Sequence, residues 1–161
     1  MPDVFALLSS DHREVEGLFQ QYDASKSPDL AQKICDELTI HAMLEEELVY
    51  PVLAAKVEGA RDMAEEARHE HAEAKQLIAQ IEAGLRSGED VSGVVKELEQ
   101  AVAHHVQEEE SEVFPAMRDK LPSVTGEMGP EVVARKEQLI AQMAEVRGQD
   151  QSAAVVGHKL L

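Results

Sequence analysis

His41 and Glu45, four residues apart, recur as His105 and Glu109, and two further histidines, His12 and His71, each follow directly on an acid, Asp11 and Glu70. Imidazole nitrogen with carboxylate oxygen is a donor set for iron, manganese or zinc. The chain has one cysteine, Cys35, which excludes a cysteine zinc site and an intrachain disulfide. Taken singly, neither motif is informative. A lone histidine on an apolar face is ordinarily a hydrogen-bonded core residue, and a lone His-x-x-x-Glu is ordinarily a pair that stabilises its helix. The joint pattern is what points to metal.

That pattern is an internal repeat. The segment from His41 through Glu45, Glu46, Val49 and Tyr50 to Pro51 aligns without gaps on His105, Glu109, Glu110, Val113, Phe114 and Pro115. Earlier in each half, Asp11, His12, Glu14, Leu18 and Phe19 align on Glu70, His71, Glu73, Leu77 and Ile78. Each half brings one histidine, then one His-x-x-x-Glu.

The elements that must carry these residues are helices. Ala, Leu, Val, Glu and Gln dominate, and aromatic residues are only 3% of the chain. Turn signals predict four long helices over about residues 3–24, 27–57, 60–85 and 90–120, and a fifth over about 130–147. Their short connections make consecutive helices antiparallel neighbours. Residues 1–122 read as the bundle and 123–161 as a C-terminal extension, a short helix followed by a tail without pattern. Pro51 and Pro115, in matching places, predict a kink or loosened turn in the second and fourth helices.

On an α-helix each residue advances by about 100°, so positions three, four and seven apart share a face. His41 and Glu45 share theirs with Leu30, Ile34, Leu38 and Leu48, and His105 and Glu109 theirs with Val94, Leu98 and Val102. His12 falls with Phe5, Leu8, Val15 and Phe19, and His71 with Ala64, Ala67, Ala74 and Ile78. All six polar residues therefore point at the predicted core. Buried carboxylates are strongly disfavoured unless compensated, and bound metal would supply the charge. A self-satisfied His–Glu network is the metal-free alternative.

Other residues are weaker candidates. His104 and Glu108 form a rival pair about 100° away, and the repeat and apolar stripe select His105. His69 reads as solvated, and His158 has no context. Glu46, Glu47 and Glu110 read as solvated charge, while Glu16 and Glu112 fall near the ligand face as possible bases. Tyr50 and Phe114 are predicted to pack in outward grooves, and Cys35 to be a small core residue.

A chain of 161 residues, 43% apolar, suits one domain with a real core. Its net charge of −17 argues against nucleic acid and anionic membrane as partners. No export signal or membrane-length apolar run is visible, so a cytoplasmic location is expected.

The motifs around His12, His41–Glu45–Glu46, Tyr50–Pro51, His71, His105–Glu109–Glu110 and Phe114–Pro115 resemble the hemerythrin-like, or HHE cation-binding, domain family, over about residues 3–120. The resemblance implies an up-down-up-down four-helix bundle holding two non-haem iron ions, oxo- or hydroxo-bridged. His12, His41, His71 and His105 would be terminal ligands, and Glu45 and Glu109 bridges. Oxygen-carrying hemerythrins have a fifth histidine, paired at i, i+4 on the third helix. Here the residues four away from His71 are Ala67 and Lys75. The fourth-helix carboxylate also departs, being Glu at i+4 where the carriers have Asp at i+5. The set of four His and two Glu resembles bacterial hemerythrin-like proteins and the iron–sulfur repair proteins of the same superfamily, whose extra cysteine-bearing N-terminal segment is absent from this sequence. The smaller ligand set leaves about one open position on each iron, which favours reaction with O₂, peroxide or nitric oxide over reversible carriage. Catalase-like or peroxidase-like turnover is one expectation. A non-enzymatic module for O₂ or iron binding, storage, sensing or iron donation to cluster repair is the other.

Overall fold

The computed structural model describes the backbone of residues 3–160 and the side chains of residues 3–148. Asp3 opens the first helix, α1 (Val4–Ser25), by accepting a hydrogen bond from the Ala6 N–H at 2.7 Å. Lys26 ends it in a left-handed conformation, φ 55°, with its N–H on the Tyr22 carbonyl. Ser27 caps α2 (Pro28–Leu44), and Pro28 takes the first-turn position where a missing N–H is harmless. Gly59, at φ 76°, turns the chain into α4 (Arg61–Arg86), and Gly88, at φ 70°, turns it towards α5 (Ser92–Glu108).

The second and fourth rods of the bundle are not uniform. α2 passes through a π-helical turn, Glu45–Val49, into α3 (Tyr50–Lys56). α5 passes through the equivalent turn, Glu109–Val113, into α6 (Phe114–Lys120). In each, the residue before the proline bonds five residues back, Tyr50 N–H to the Glu45 carbonyl and Phe114 N–H to the Glu109 carbonyl. The loosened turns predicted from Pro51 and Pro115 thus take a defined form, an inserted residue just ahead of a ring that cannot donate.

The rods close into a four-helix bundle, α1 beside α2 and α5, and α4 beside both α2 and α5. The interior divides in two. One apolar cluster includes Phe5, Leu8, Leu44, Leu53, Ala67, Phe114 and Met117, and the other Val15, Phe19, Ile34, Cys35, Ile78, Ile81 and Leu98. On α1, α4 and the fourth rod the predicted polar residues lie between them in sequence, while on the second rod His41 and Glu45 alternate with Ile40, Leu44 and Val49 of the first cluster.

The last helix, α7 (Pro122–Leu160), is longer than its apolar spacing predicts. Pro122 opens it rather than merely ending the fourth rod, and Pro130 lies inside it on an exposed side. The hydrogen bond that Pro130 cannot give would have gone to exposed Gly126, whose carbonyl water can satisfy. α7 packs on α1, α2 and α6, burying Met128, Val132 and Leu139. Among the described residues no helix is long and apolar enough to cross a membrane.

Candidate metal centre

His12 on α1, His41 on α2, His71 on α4 and His105 on α5 turn their Nε2 atoms towards one point in the bundle, and Glu45 and Glu109 enter it from the first residue of each π-turn. Glu45 is fully buried and Glu109 is 1% exposed. The structure brings all six sequence-predicted site residues together. They form two quartets, His12–His41–Glu45–Glu109 and His71–His105–Glu45–Glu109, which share both carboxylates.

Within the first quartet the two Nε2 atoms are 3.1 Å apart, and within the second 3.2 Å. Glu45 Oε1 lies 3.1 Å from His41 Nε2 and 3.2 Å from His71 Nε2, on either side. Glu109 divides its oxygens, Oε1 at 3.2 Å from His12 Nε2 and Oε2 at 3.0 Å from His105 Nε2. Neighbouring ligand atoms around an ion with bonds of about 2.1 Å stand about 3.0 Å apart, so these spacings suit cations. Glu45 Oε2 is buried without a hydrogen bond, and Glu109 Oε1 meets His12 without the alignment of one. Such orphaned oxygens are rare unless something else satisfies them. The donor set fits a metal.

Without metal the charges compensate through protons. Burial would push the His41 imidazole down, but the Glu45 carboxylate and the Asp11 contact hold it up at about 10. Burial likewise opposes protonation of His105, and hydrogen bonds to Glu109 and Glu45 hold it up at about 11. Burial raises Glu45, and the imidazoles of His41, His105 and His71 more than reverse this, leaving it well below the carboxylate range.

Behind each histidine stands a carboxylate from a neighbouring rod, for three of the four the preceding one in the chain. Asp11 Oδ2 lies 3.2 Å from His41 Nδ1, and Glu70 Oε1 lies 2.8 Å from His105 Nδ1. Glu46 Oε2 stands 3.4 Å from His71 Nδ1, and Glu110 Oε2 from the fourth rod stands 3.5 Å from His12 Nδ1, both at ion-pair distance without hydrogen-bond alignment. Each carboxylate meets a basic group in turn: Asp11 meets Lys136, Glu46 meets Lys75, Glu70 meets His104, and Glu110 meets Arg13. Holding Nδ1 from outside leaves Nε2 facing inward.

Several expectations need correction. Tyr50 does not pack outward. Its hydroxyl donates to Glu109 Oε2 at 2.5 Å and lies 3.3 Å from Glu45 Oε1, 3.1 Å from His71 Nε2 and 3.2 Å from His105 Nε2. Burial and the two carboxylates push this phenol far above its ordinary range, so it keeps its proton. Phe114, the matching residue, is also buried, stacked on His12 with ring centroids 5.9 Å apart. The cause is the π-turn, which brings the residue five positions on over the carboxylate, whereas an α-helix would carry it to another face. Glu46 and Glu110 are not simply solvated, because neighbouring helices place His71 and His12 beside them. Glu47 does face away, paired with Arg135 of α7 at 2.8 Å.

Glu16 is exposed and bonded to Arg13, and Glu112 is exposed, so neither backs a histidine. His104 is mostly exposed, 3.1 Å from Glu108, and stays outside the six. His69 is exposed beside Glu73, as its position predicts. Cys35 is buried in the core, where desolvation, with Glu82 and Asp36 nearby, pushes its thiol up to about 12. The His158 side chain lies outside the described residues.

A cavity of about 80 Å³ adjoins the centre, with all four histidines in its wall beside Val15, Leu38, Ala74, Ile78, Ala101 and Val102. It has room for about two molecules the size of water.

Residues 3–117 match the family model described as the hemerythrin HHE cation-binding domain. A Nostoc sp. protein named DNA nickase is 35% identical over 121 residues, covering 73% of this chain and 34% of that protein. An uncharacterised hemerythrin-like protein of Schizosaccharomyces pombe is 27% identical over 116 residues, covering 69% of this chain and 57% of its own. The chain thus spans about a third and somewhat over half of the curated relatives it matches. No solved structure matches it.

Proposed function

The chain belongs to the hemerythrin HHE cation-binding domain family, and on that premise we propose that it holds two non-haem iron ions and uses them on O₂, peroxide or nitric oxide. The observation that carries this reading is the pair of quartets sharing Glu45 and Glu109. His12 and His41 would hold one ion, His71 and His105 the other, and the two carboxylates would serve both. Nitrogen and oxygen donors without thiolate suit iron. When bound, iron supplies Lewis acidity and electrons.

The chain's own residues supply the rest. Asp11 and Glu70 accept from Nδ1 of His41 and His105 and fix those rings. Tyr50 holds a proton on its hydroxyl between the two shared carboxylates, and the histidines beside it, His71 and His105, are those of the second quartet. Phe114 offers no such group to the first quartet. The small cavity, with mainly apolar exposed surface, favours small uncharged reactants. A chain of net charge −17 repels phosphate, which argues against the DNA activity named for the Nostoc protein.

The test is anaerobic loading with ferrous iron, metal counting, then optical spectra on adding O₂ or peroxide. Repeated O₂ evolution from peroxide supports an enzyme, and a reversible spectral change with O₂ supports a binding module. Stoichiometric zinc in purified protein that resists iron reconstitution would defeat both.

A further inference from the structure

Three of the four basic groups behind the outer carboxylates come from the bundle itself: Arg13 on α1, Lys75 on α4 and His104 on α5. The fourth, Lys136, comes from α7, beyond the residues that match the family model. Its Nζ lies 2.6 Å from Asp11 Oδ1, while Asp11 Oδ2 faces His41 Nδ1. One carboxylate therefore joins the C-terminal helix to one imidazole of the first quartet.

α7 is anchored well enough to hold that contact in place. Leu139 and Val132 are buried beneath it. Further along, Arg147 reaches Asp36 on α2 at 2.7 Å and Glu82 on α4 at 3.0 Å. Between α7, α1 and α2 runs a groove of about 300 Å³, with Asp11, His41 and Lys136 in its wall. Without Lys136, Asp11 would face this space with one oxygen unpaired and would be free to swing away from the ring.

We propose that Lys136 is a positioning residue of the metal centre: through Asp11 it fixes the His41 ring, so that retention of the ion in the His12–His41 quartet depends on α7. This rests on the di-metal reading above. Losses of tenfold or more are typical when such outer partners of a metal-binding histidine are removed. The effect is confined to one position, because Lys75 and His104 serve the histidines of the other.

The test uses the full chain, loaded anaerobically with ferrous iron, and follows iron release to excess bipyridine. Lys136→Met should release one of the two ions about tenfold faster, with Lys136→Arg and Arg135→Met at the wild-type rate. Asp11→Asn should reproduce the fast phase, and the double variant Asp11→Asn with Lys136→Met should be no faster than Asp11→Asn alone. Wild-type release from Lys136→Met, or equal acceleration by Arg135→Met, overturns the proposal. Should Lys136→Met lose its helical circular dichroism, Asp11→Asn and Lys136→Arg decide instead, and Asp11→Asn at the wild-type rate overturns it. If wild type binds no iron, the metal reading itself has failed. Metal-free protein then gives a separate answer by NMR of the His41 ring: an exchange-protected Nδ1 proton, lost in Lys136→Met and kept in Arg135→Met, supports positioning, and its persistence in Lys136→Met overturns it.

Discussion

The hydroxyl of Tyr50 donates a 2.5 Å hydrogen bond to Oε2 of Glu109, linking the two halves of the internal repeat through the buried centre of the bundle. Its counterpart in the other half, Phe114, cannot make the reciprocal bond. Tyr50→Phe removes the donor and leaves a buried carboxylate oxygen short of a partner. Such a loss costs about 1–3 kcal/mol. Urea denaturation of the metal-free protein should show that drop with helical content retained, and an unchanged midpoint would count against the bond.

Glu45 and Glu109 belong to both quartets, whereas each histidine belongs to one. Glu45→Ala and Glu109→Ala should therefore empty both positions, while His12→Ala should remove roughly half the bound metal, since it strips one ion's ligand set alone. His104→Ala should bind as wild type does. Metal analysis after gel filtration reads all four, and equal loss in His104→Ala and Glu109→Ala would put His104 among the ligands of the fourth rod.

Metal has to displace protons from this site. His41, held at about 10, and His105, held at about 11, both carry a proton at neutral pH in the metal-free protein, drawn there by the buried carboxylates. Binding a divalent cation at pH 7.5 should release one proton from each, measured with an indicator dye in weak buffer. The sign for stability follows from the same shifts. Both folded values lie above the ordinary 6.5, so this contribution to the metal-free fold is complete below 6.5 and is lost as pH rises through about 10 and about 11. Glu45 moves the other way, and its contribution is lost as pH falls below the ordinary 4.5. Uptake without proton release would argue that the imidazoles are neutral.

Burial, with Glu82 and Asp36 close by, pushes the Cys35 thiol from 9.0 up to about 12. Below pH 9.0 neither folded nor unfolded thiol ionises and the residue adds no pH dependence. Between there and about 12 only the unfolded chain gives up its proton, so stability declines as pH rises. Cys35→Ser should flatten that alkaline slope. The native thiol should also resist a disulfide reagent at pH 8 until urea opens the fold.

The bundle and its six inward residues were legible because helical periodicity and a gapless repeat carry the same information twice. His41 and Glu45 lie one turn apart on an ordinary α-helix, so a wheel places them correctly. Tyr50 lies just past the π-turn, where that wheel no longer applies. Its one visible sign was Pro51, which marks a disturbed turn without giving the direction of the shift. Glu46 and Glu110 were missed for a different reason: outward on their own helices, they are claimed by histidines of neighbouring ones, and one helix's pattern says nothing of its neighbour's. Lys136 shares this second difficulty, a half-buried lysine on an extension outside the repeat, claimed by an acid of another helix.

The outer acids run round the bundle in one sense, each helix backing the histidine of the next, with Glu110 on the fourth rod returning to His12 on the first. A circle of this kind has no first member. One hairpin, α1 to α3, contains the Asp11–His41 pairing, gives Glu46 to the other hairpin and receives Glu110 from it. Neither half is complete by itself, yet two copies of either, laid side by side, would close the same loop of contacts. Such mutual completion is the geometry that a fused pair of identical hairpins would inherit from a dimeric ancestor, and it leaves later divergence, such as a single phenolic oxygen, to distinguish one side from the other.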